Sequence, residues 1–165
     1  MQTSSAIETY RGVVYPNDCD AMGHMNVKAY TGAYDQAMWH LVHAAGYSAS
    51  WVKQCDEGWV DAEHLTRFKH ELAVGSLYKV VSRITKIGTT SVRSLHELFD
   101  VDRAEPASTC EMVSIYFDLK VRKPKPLRDE LAQGLRGFLD RDMGTGQGAA
   151  VAKRDGWAGK LAGQE

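Results

Sequence analysis

Cysteine is too scarce and too scattered here to build a disulfide framework. Only Cys19, Cys55 and Cys110 occur in 165 residues, an odd number with no C-x-x-C pair. A reducing, cytoplasmic setting is therefore expected. Cys19 has no histidine at a recognisable family spacing, which disfavours a thiol nucleophile. No apolar run approaches the ~20 residues that span a bilayer, so no membrane association is expected. The opening stretch MQTSSAIETYRG has no apolar h-region, so no secretory signal is expected either. An excess of one charge is also missing: 20 Lys and Arg face 21 Asp and Glu, a net charge of −1. Nothing global draws such a chain to nucleic acid. Neither G-x-x-x-x-G-K-[ST] nor G-x-G-x-x-G occurs, which disfavours nucleotide hydrolysis and dinucleotide binding. HELFD at His96 lacks the second histidine of a zincin. His40 and His43 find no third ligand at a convincing spacing, so no metal is expected.

What is present is an ordinary globular composition, 44% apolar and 25% charged, enough for one domain with a sizeable core. Apolar positions run Val27, Tyr30, Ala33, Tyr34, Ala37, Met38, Leu41, Val42 and Ala45, which is helical spacing over about five turns. Asn26 stands where an N-cap belongs and Gly46 where a C′ glycine belongs. Residues 8–16 read as a first strand. WVDAEHLTRF, SLYKVVSRITKIG, TTSVRSLHELFDV and STCEMVSIYFDLKV read as four more, the last with Val113, Ile115, Phe117, Leu119 and Val121 on one face. One long helix and a run of strands predict an α+β fold, the helix lying across one face of an antiparallel sheet. RKPKPLRDELAQGL predicts an exit loop and a short helix from near Pro126 or Leu127. The domain is expected over 1–140. Residues 141–165 are glycine-rich and read as a mobile tail, with docking of Trp157 as the alternative.

The chemistry concentrates in DCDAMGHMNVKAY, Asp18 to Tyr30, just ahead of the long helix. A carboxylate before a helix N-terminus stays ionised and can act as nucleophile or general base. The unpaired N–H groups of the helix start can hold a developing oxyanion. Asp20, His24 and that helix end therefore suit acyl transfer. A scaffolding role is equally compatible with the spacing: Asp20 can cap a loop through an Asx-turn, His24 can bond to a strand, and Asn26 can simply cap. His70 and Glu71, ahead of the glycine at position 75, read as solvated.

YPNDCDAMGHMNVKAY and the helix after it resemble the opening of the 4-hydroxybenzoyl-CoA thioesterase family of hotdog-fold proteins. RFKHELAVGSLYKVVSRITKIGTTSVRSLHELFD resembles the family's middle strands, and FDLKVRKPKPLRDEL its last strand and exit, so the likeness covers about 8–139. It implies a hotdog fold, a five-stranded antiparallel sheet wrapped around one long helix. It also implies a homodimer or homotetramer with the site between subunits, an acyl-CoA substrate, and no cofactor. Asp20 would be the catalytic carboxylate, His24 its helper, and the backbone N–H of Val27 the oxyanion donor. Substrate contacts would fall to Asn26, Tyr30, Glu63 and His64, and the CoA phosphates to Arg122, Lys123 and Lys125. Two departures stand out: Val27 replaces a tyrosine or histidine found in some members, and Met22 replaces an asparagine of the plant acyl-carrier-protein enzymes. The rivals are a hotdog hydratase, whose histidine and proline spacing is not met, and a non-catalytic acyl-binding or scaffold protein.

Overall fold

Period-two burial along the strands and 3.6-residue burial along the long helix produce a sheet closed on one face by α1, Val27–Ala44. The structure is a computed structural model that describes residues 5–140; the expected tail, Trp157 included, lies outside the described residues. The strands are β1 Ile7–Val13, β2 Glu57–Phe68, β3 Leu77–Ile87, β4 Ser91–Asp100, β5 Pro106–Asp118 and β6 Lys123–Pro124. They pair antiparallel in the order β1-β3-β4-β5-β2, and β6 pairs with the end of β5. This is the hotdog architecture that the resemblance implies, with one correction. The exit stretch adds β6, so the sheet has six strands and not five. Two short elements escape the sequence pattern, a 3-10 turn at Pro16–Asp18 and α2, Trp51–Gln54. The last helix, α3, spans Asp129–Arg136 and starts later than expected. Proline at 126 can start a helix but does not require one.

The buried side of α1 is Tyr30, Ala33, Tyr34, Ala37, Met38, Leu41 and Val42, all predicted from the spacing. The sheet surface beneath it is unusually polar. The apolar stripe of β5, Val113, Ile115 and Phe117, is half-buried on the outer face, while Cys110, Met112, Ser114 and Tyr116 face the core. Buried hydroxyls are tolerated there because they satisfy one another. Thr9 Oγ1 lies 2.6 Å from Ser82 Oγ, and Ser82 Oγ lies 2.6 Å from His96 Nδ1. His96 Nε2 lies 2.8 Å from Ser94 Oγ, and Tyr34 Oη lies 2.5 Å from Ser108 Oγ. His96 is fully buried, and that burial pushes its pKa down to about 3.

A buried charge closes the far end of the sheet. Glu57 accepts hydrogen bonds from Tyr116 Oη, Lys125 Nζ and, at 2.7 Å, Arg128 Nε. Burial opposes its ionisation, but the bonds from Arg128, Lys125 and Tyr116 outweigh it and hold the carboxyl at about 2. The Arg128 guanidinium also lies 4.4 Å from the Trp51 ring centroid. One carboxylate thus ties the start of β2, the end of β5 and the exit segment together. Among the described residues the opposite edge of β2 is bonded to no strand, and Val60, Leu65 and Phe68 are exposed.

The neutral His96 makes stability pH-dependent. Its folded pKa, about 3, lies below the ordinary 6.5, so the unfolded chain binds the extra proton in between. The contribution is complete above pH 6.5 and is lost as pH falls, by at most ~1.4 kcal/mol per pH unit. Glu57, lowered from 4.5 to about 2, adds its own loss only below pH 4.5. Urea unfolding between pH 7 and 4.5 should show the decline, and His96→Gln should flatten it. An equally steep slope in the variant would contradict the neutral, buried assignment.

Candidate functional site

The segment between β1 and α1 folds into a tight hairpin that seats the helix. Asn26 N–H donates to Asp18 C=O at 2.7 Å, and Cys19 bridges Met25. Asp20 N–H donates to His24 C=O at 2.9 Å, and Gly23 N–H to Asp20 C=O at 3.0 Å. Gly23 has φ +85°, a left-handed turn position that a side chain would strain. The hairpin is docked on the segment after β2: Met25 N–H donates to Leu72 C=O at 2.7 Å, and His24 bridges Ala73.

The helix start is where acceptors run out. Asn26 Oδ1 accepts from Ala29 N–H at 2.9 Å, and Asn26 C=O accepts from Ala29 and Tyr30. Among the described residues the N–H groups of Val27 and Lys28 meet no acceptor. Beside them opens a cleft of about 320 Å³, walled by Asp20, His24, Val27, Tyr30, Phe68 and Glu71. The Tyr30 and Phe68 rings meet edge to face at 5.0 Å. Burial, with the Glu71 charge as a smaller cause, raises the Tyr30 phenol to about 12, so it remains a donor near neutrality.

Both roles weighed for Asp20 find support in its geometry. Oδ1 accepts from Met22 N–H at 2.9 Å and His24 N–H at 3.4 Å, an Asx-type turn. Oδ2 has no protein partner among the described residues and is open for chemistry. His24 Nε2 lies 3.2 Å from Glu71 Oε2, and Glu71, exposed as expected, also walls the cleft. No sequence signal links the two, because only the docking of the hairpin on residues 72–73 brings them together.

Other expected contacts fall elsewhere. Glu63 pairs with Val113 across a bulge in β2, which turns it to the outer face, away from the cleft. His64 pairs with Met112 on the helix side, where its Nε2 lies 3.2 Å from Asp61 Oδ2. Within one chain the phosphate candidates are far from the cleft. Lys125 is held by Glu57, Arg122 lies 5.6 Å from the Phe117 ring centroid, and Lys123 is in β6. All three sit at the Glu57 end of β2, whereas the cleft is at its Phe68 end, roughly 36 Å away at ~3.3 Å per residue. Phe68 as an aromatic wall is a residue the sequence did not single out.

A more polar cleft of about 510 Å³ lies on the β1 side of the helix start, and Asn26 borders both. The carboxylate in that second cleft, Asp18, accepts Tyr15 N–H through Oδ2 at 3.0 Å, and no imidazole faces it, so the smaller cleft is the candidate site. Among the described residues no three His, Cys, Asp or Glu side chains are grouped to hold a metal, and no helix is long and apolar enough to cross a membrane.

The pattern of the thioesterase-like superfamily matches residues 14–135. No curated protein matches the chain. Among solved structures, the chain is similar to a hypothetical protein from Staphylococcus aureus in complex with CoA, at 16% identity and TM-score 0.74, over 80% of this chain and 84% of that one. It is similar to a 1,4-dihydroxy-2-naphthoyl-CoA thioesterase from Synechocystis, at 17% identity and TM-score 0.70, over 83% and 98%. It is also similar to a thioesterase from Thermus thermophilus complexed with coenzyme A and zinc, at 20% identity and TM-score 0.68, over 84% and 96%. At such identities these likenesses establish the fold.

The Asn26 cap is the local device that fixes this site, and it can be removed. Asn26→Ala should lower unfolding free energy by about 1 kcal/mol, read as a reduced urea midpoint at constant slope. An unchanged midpoint would mean that the docked hairpin, and not the cap, holds the helix start.

Proposed function

The chain belongs to the thioesterase-like superfamily, and from that premise we propose that it hydrolyses an acyl-CoA thioester to the free acid and CoA. The observation that carries the proposal is the meeting, in one cleft, of the open Oδ2 of Asp20, the His24 imidazole and Val27, whose N–H at the start of α1 is unclaimed. The thioester carbonyl oxygen would point at Val27 N–H, which stabilises the charge that develops on it. Asp20 Oδ2 would then attack the carbonyl carbon or take a proton from water that does so, with water the final acyl acceptor in either case. Met22, Tyr30 and Phe68 offer the acyl group an apolar wall, and Asn26 shapes the cleft while capping the helix. No cofactor enters these steps. CoA as the carrier is supported by the CoA-bound and acyl-CoA-acting neighbours. A cytoplasmic setting fits the three unpaired cysteines.

We infer further that two chains pair through the free edge of β2, as a dimer or a dimer of dimers. An unpaired twelve-residue edge strand is a ready template for a second copy. Antiparallel pairing would bring the Glu57 end of one copy beside the Phe68 end of the other. Arg122 and Lys123 would then reach the cleft mouth of the neighbouring copy as phosphate ligands, and His64 would approach its acyl wall. A second reading is favoured by the Asx-turn at Asp20, which would persist in a non-catalytic acyl-binding protein.

Asp20→Asn tests the catalytic reading. An asparagine amide oxygen can still accept the turn N–H groups, so the hairpin should survive while the charge at the second oxygen is lost. Thiol release from an acyl-CoA panel should show kcat reduced roughly 10²-fold or more with KM little changed. An unaltered kcat would take Asp20 out of the chemistry, whereas binding with no thiol released by the wild-type protein would favour the binding protein. For assembly, sedimentation should find at least a dimer, and specific activity should fall on dilution through the dissociation range. A fully active monomer would contradict a shared site.

A further inference from the structure

We propose that Glu71 is a positioning residue for His24: it accepts the Nε2–H, which fixes the tautomer and leaves Nδ1 to handle the proton of the attacking water. The catalytic consequence rests on the thioesterase proposal above, whereas the tautomer does not. His24 Nε2 is 3.2 Å from Glu71 Oε2. The nearer carboxylate in sequence, Asp20, bonds the His24 backbone and not its ring. Both partners are held in register by backbone contacts, Met25 N–H on Leu72 C=O and the bridge between His24 and Ala73. The ring's recorded carboxylate contact is at Nε2, and among the described residues Nδ1 has none.

A neutral imidazole has one N–H, and an ionised carboxylate can only accept. Glu71 at Nε2 therefore puts the proton there and the lone pair on Nδ1. Once Asp20 has attacked the thioester and the thiolate has left, the oxygen of a water bonds to the acyl carbon of the acyl-aspartate and its proton passes to Nδ1. The resulting imidazolium keeps one N–H on Glu71. Asp20 leaves as its carboxylate and the Nδ1 proton goes to the thiolate sulfur, so water and thioester become acid and thiol. The charged and titratable groups that share the cleft with this ring are Asp20, Tyr30, Lys69, His70 and Glu71. The Glu71 side chain is 74% exposed, so solvent and salt weaken its hold. That argues for a moderate catalytic effect and for a variant that folds.

The test joins long-range ¹H–¹⁵N NMR of the His24 ring, assigned with His24→Gln, to steady-state kinetics on the best acyl-CoA of the panel. The wild-type ring should be the Nε2–H tautomer and should become a mixture in Glu71→Ala. In that variant kcat should fall about 10-fold with KM within about twofold. Glu71→Asp should recover part of the loss, and high salt should narrow the gap between wild type and Glu71→Ala. An unchanged tautomer in Glu71→Ala would overturn the proposal. So would a tautomer shift with kcat unaffected, or a loss confined to KM, which would make Glu71 a substrate contact. If wild type turns over no thioester, the thioesterase proposal fails, and the NMR arm alone decides whether Glu71 sets the ring.

Discussion

The register at which α1 begins is the constraint on which the candidate site depends. Seven buried side chains commit the helix to the sheet, and each buried large apolar side chain contributes on the order of 2 kcal/mol. The Asn26 cap contributes about 1 kcal/mol, so it cannot decide whether the helix forms. It decides where the helix starts, and the start is what matters chemically. With Asn26 as cap, Ala29 and Tyr30 have acceptors while Val27 and Lys28 keep theirs open. One residue of slip would move the open N–H groups away from Asp20. The hairpin, closed by Asp18, turned at Gly23 and docked on Leu72, holds that register from the other side.

Two buried polar systems secure the frame around this point. His96 with its serine partners lies beneath the middle of α1, and Glu57 with Tyr116, Lys125 and Arg128 closes the opposite end of the sheet. Both are self-satisfied, as buried polar groups must be. Both lose stability in acid for the same reason, a folded pKa depressed below the unfolded value. The Glu57 cluster also engages Lys125, whose ammonium is the partner of a buried carboxylate.

The sequence made local features legible and left lateral ones hidden. The core face of α1, its Asn26 cap, the Gly46 end and five of the strands follow from periodicity and capping chemistry. The polar core could not be read that way. On β5 the apolar stripe faces outward and serines face in, so alternation located the strand but not its buried side. The face of Glu63 is hidden for a similar reason: a bulge after Asp61 shifts the pairing and turns it outward. Glu71 is solvated as expected, but its contact with His24 is hidden in the sequence because only tertiary docking brings the two segments together. The exit cations sit at the Glu57 end of β2, away from the cleft within one chain, and no local pattern in the sequence shows that separation.

The central claim is that the cleft at the start of α1 hydrolyses thioesters and does not merely bind them. Thiol release by the wild-type protein over aliphatic and aromatic acyl-CoA esters, with the free acid quantified in parallel, tests it most directly. The account predicts multiple turnovers, with acid and CoA formed one for one on at least one ester. Saturable binding of acyl-CoA with no thiol released from any ester would contradict it.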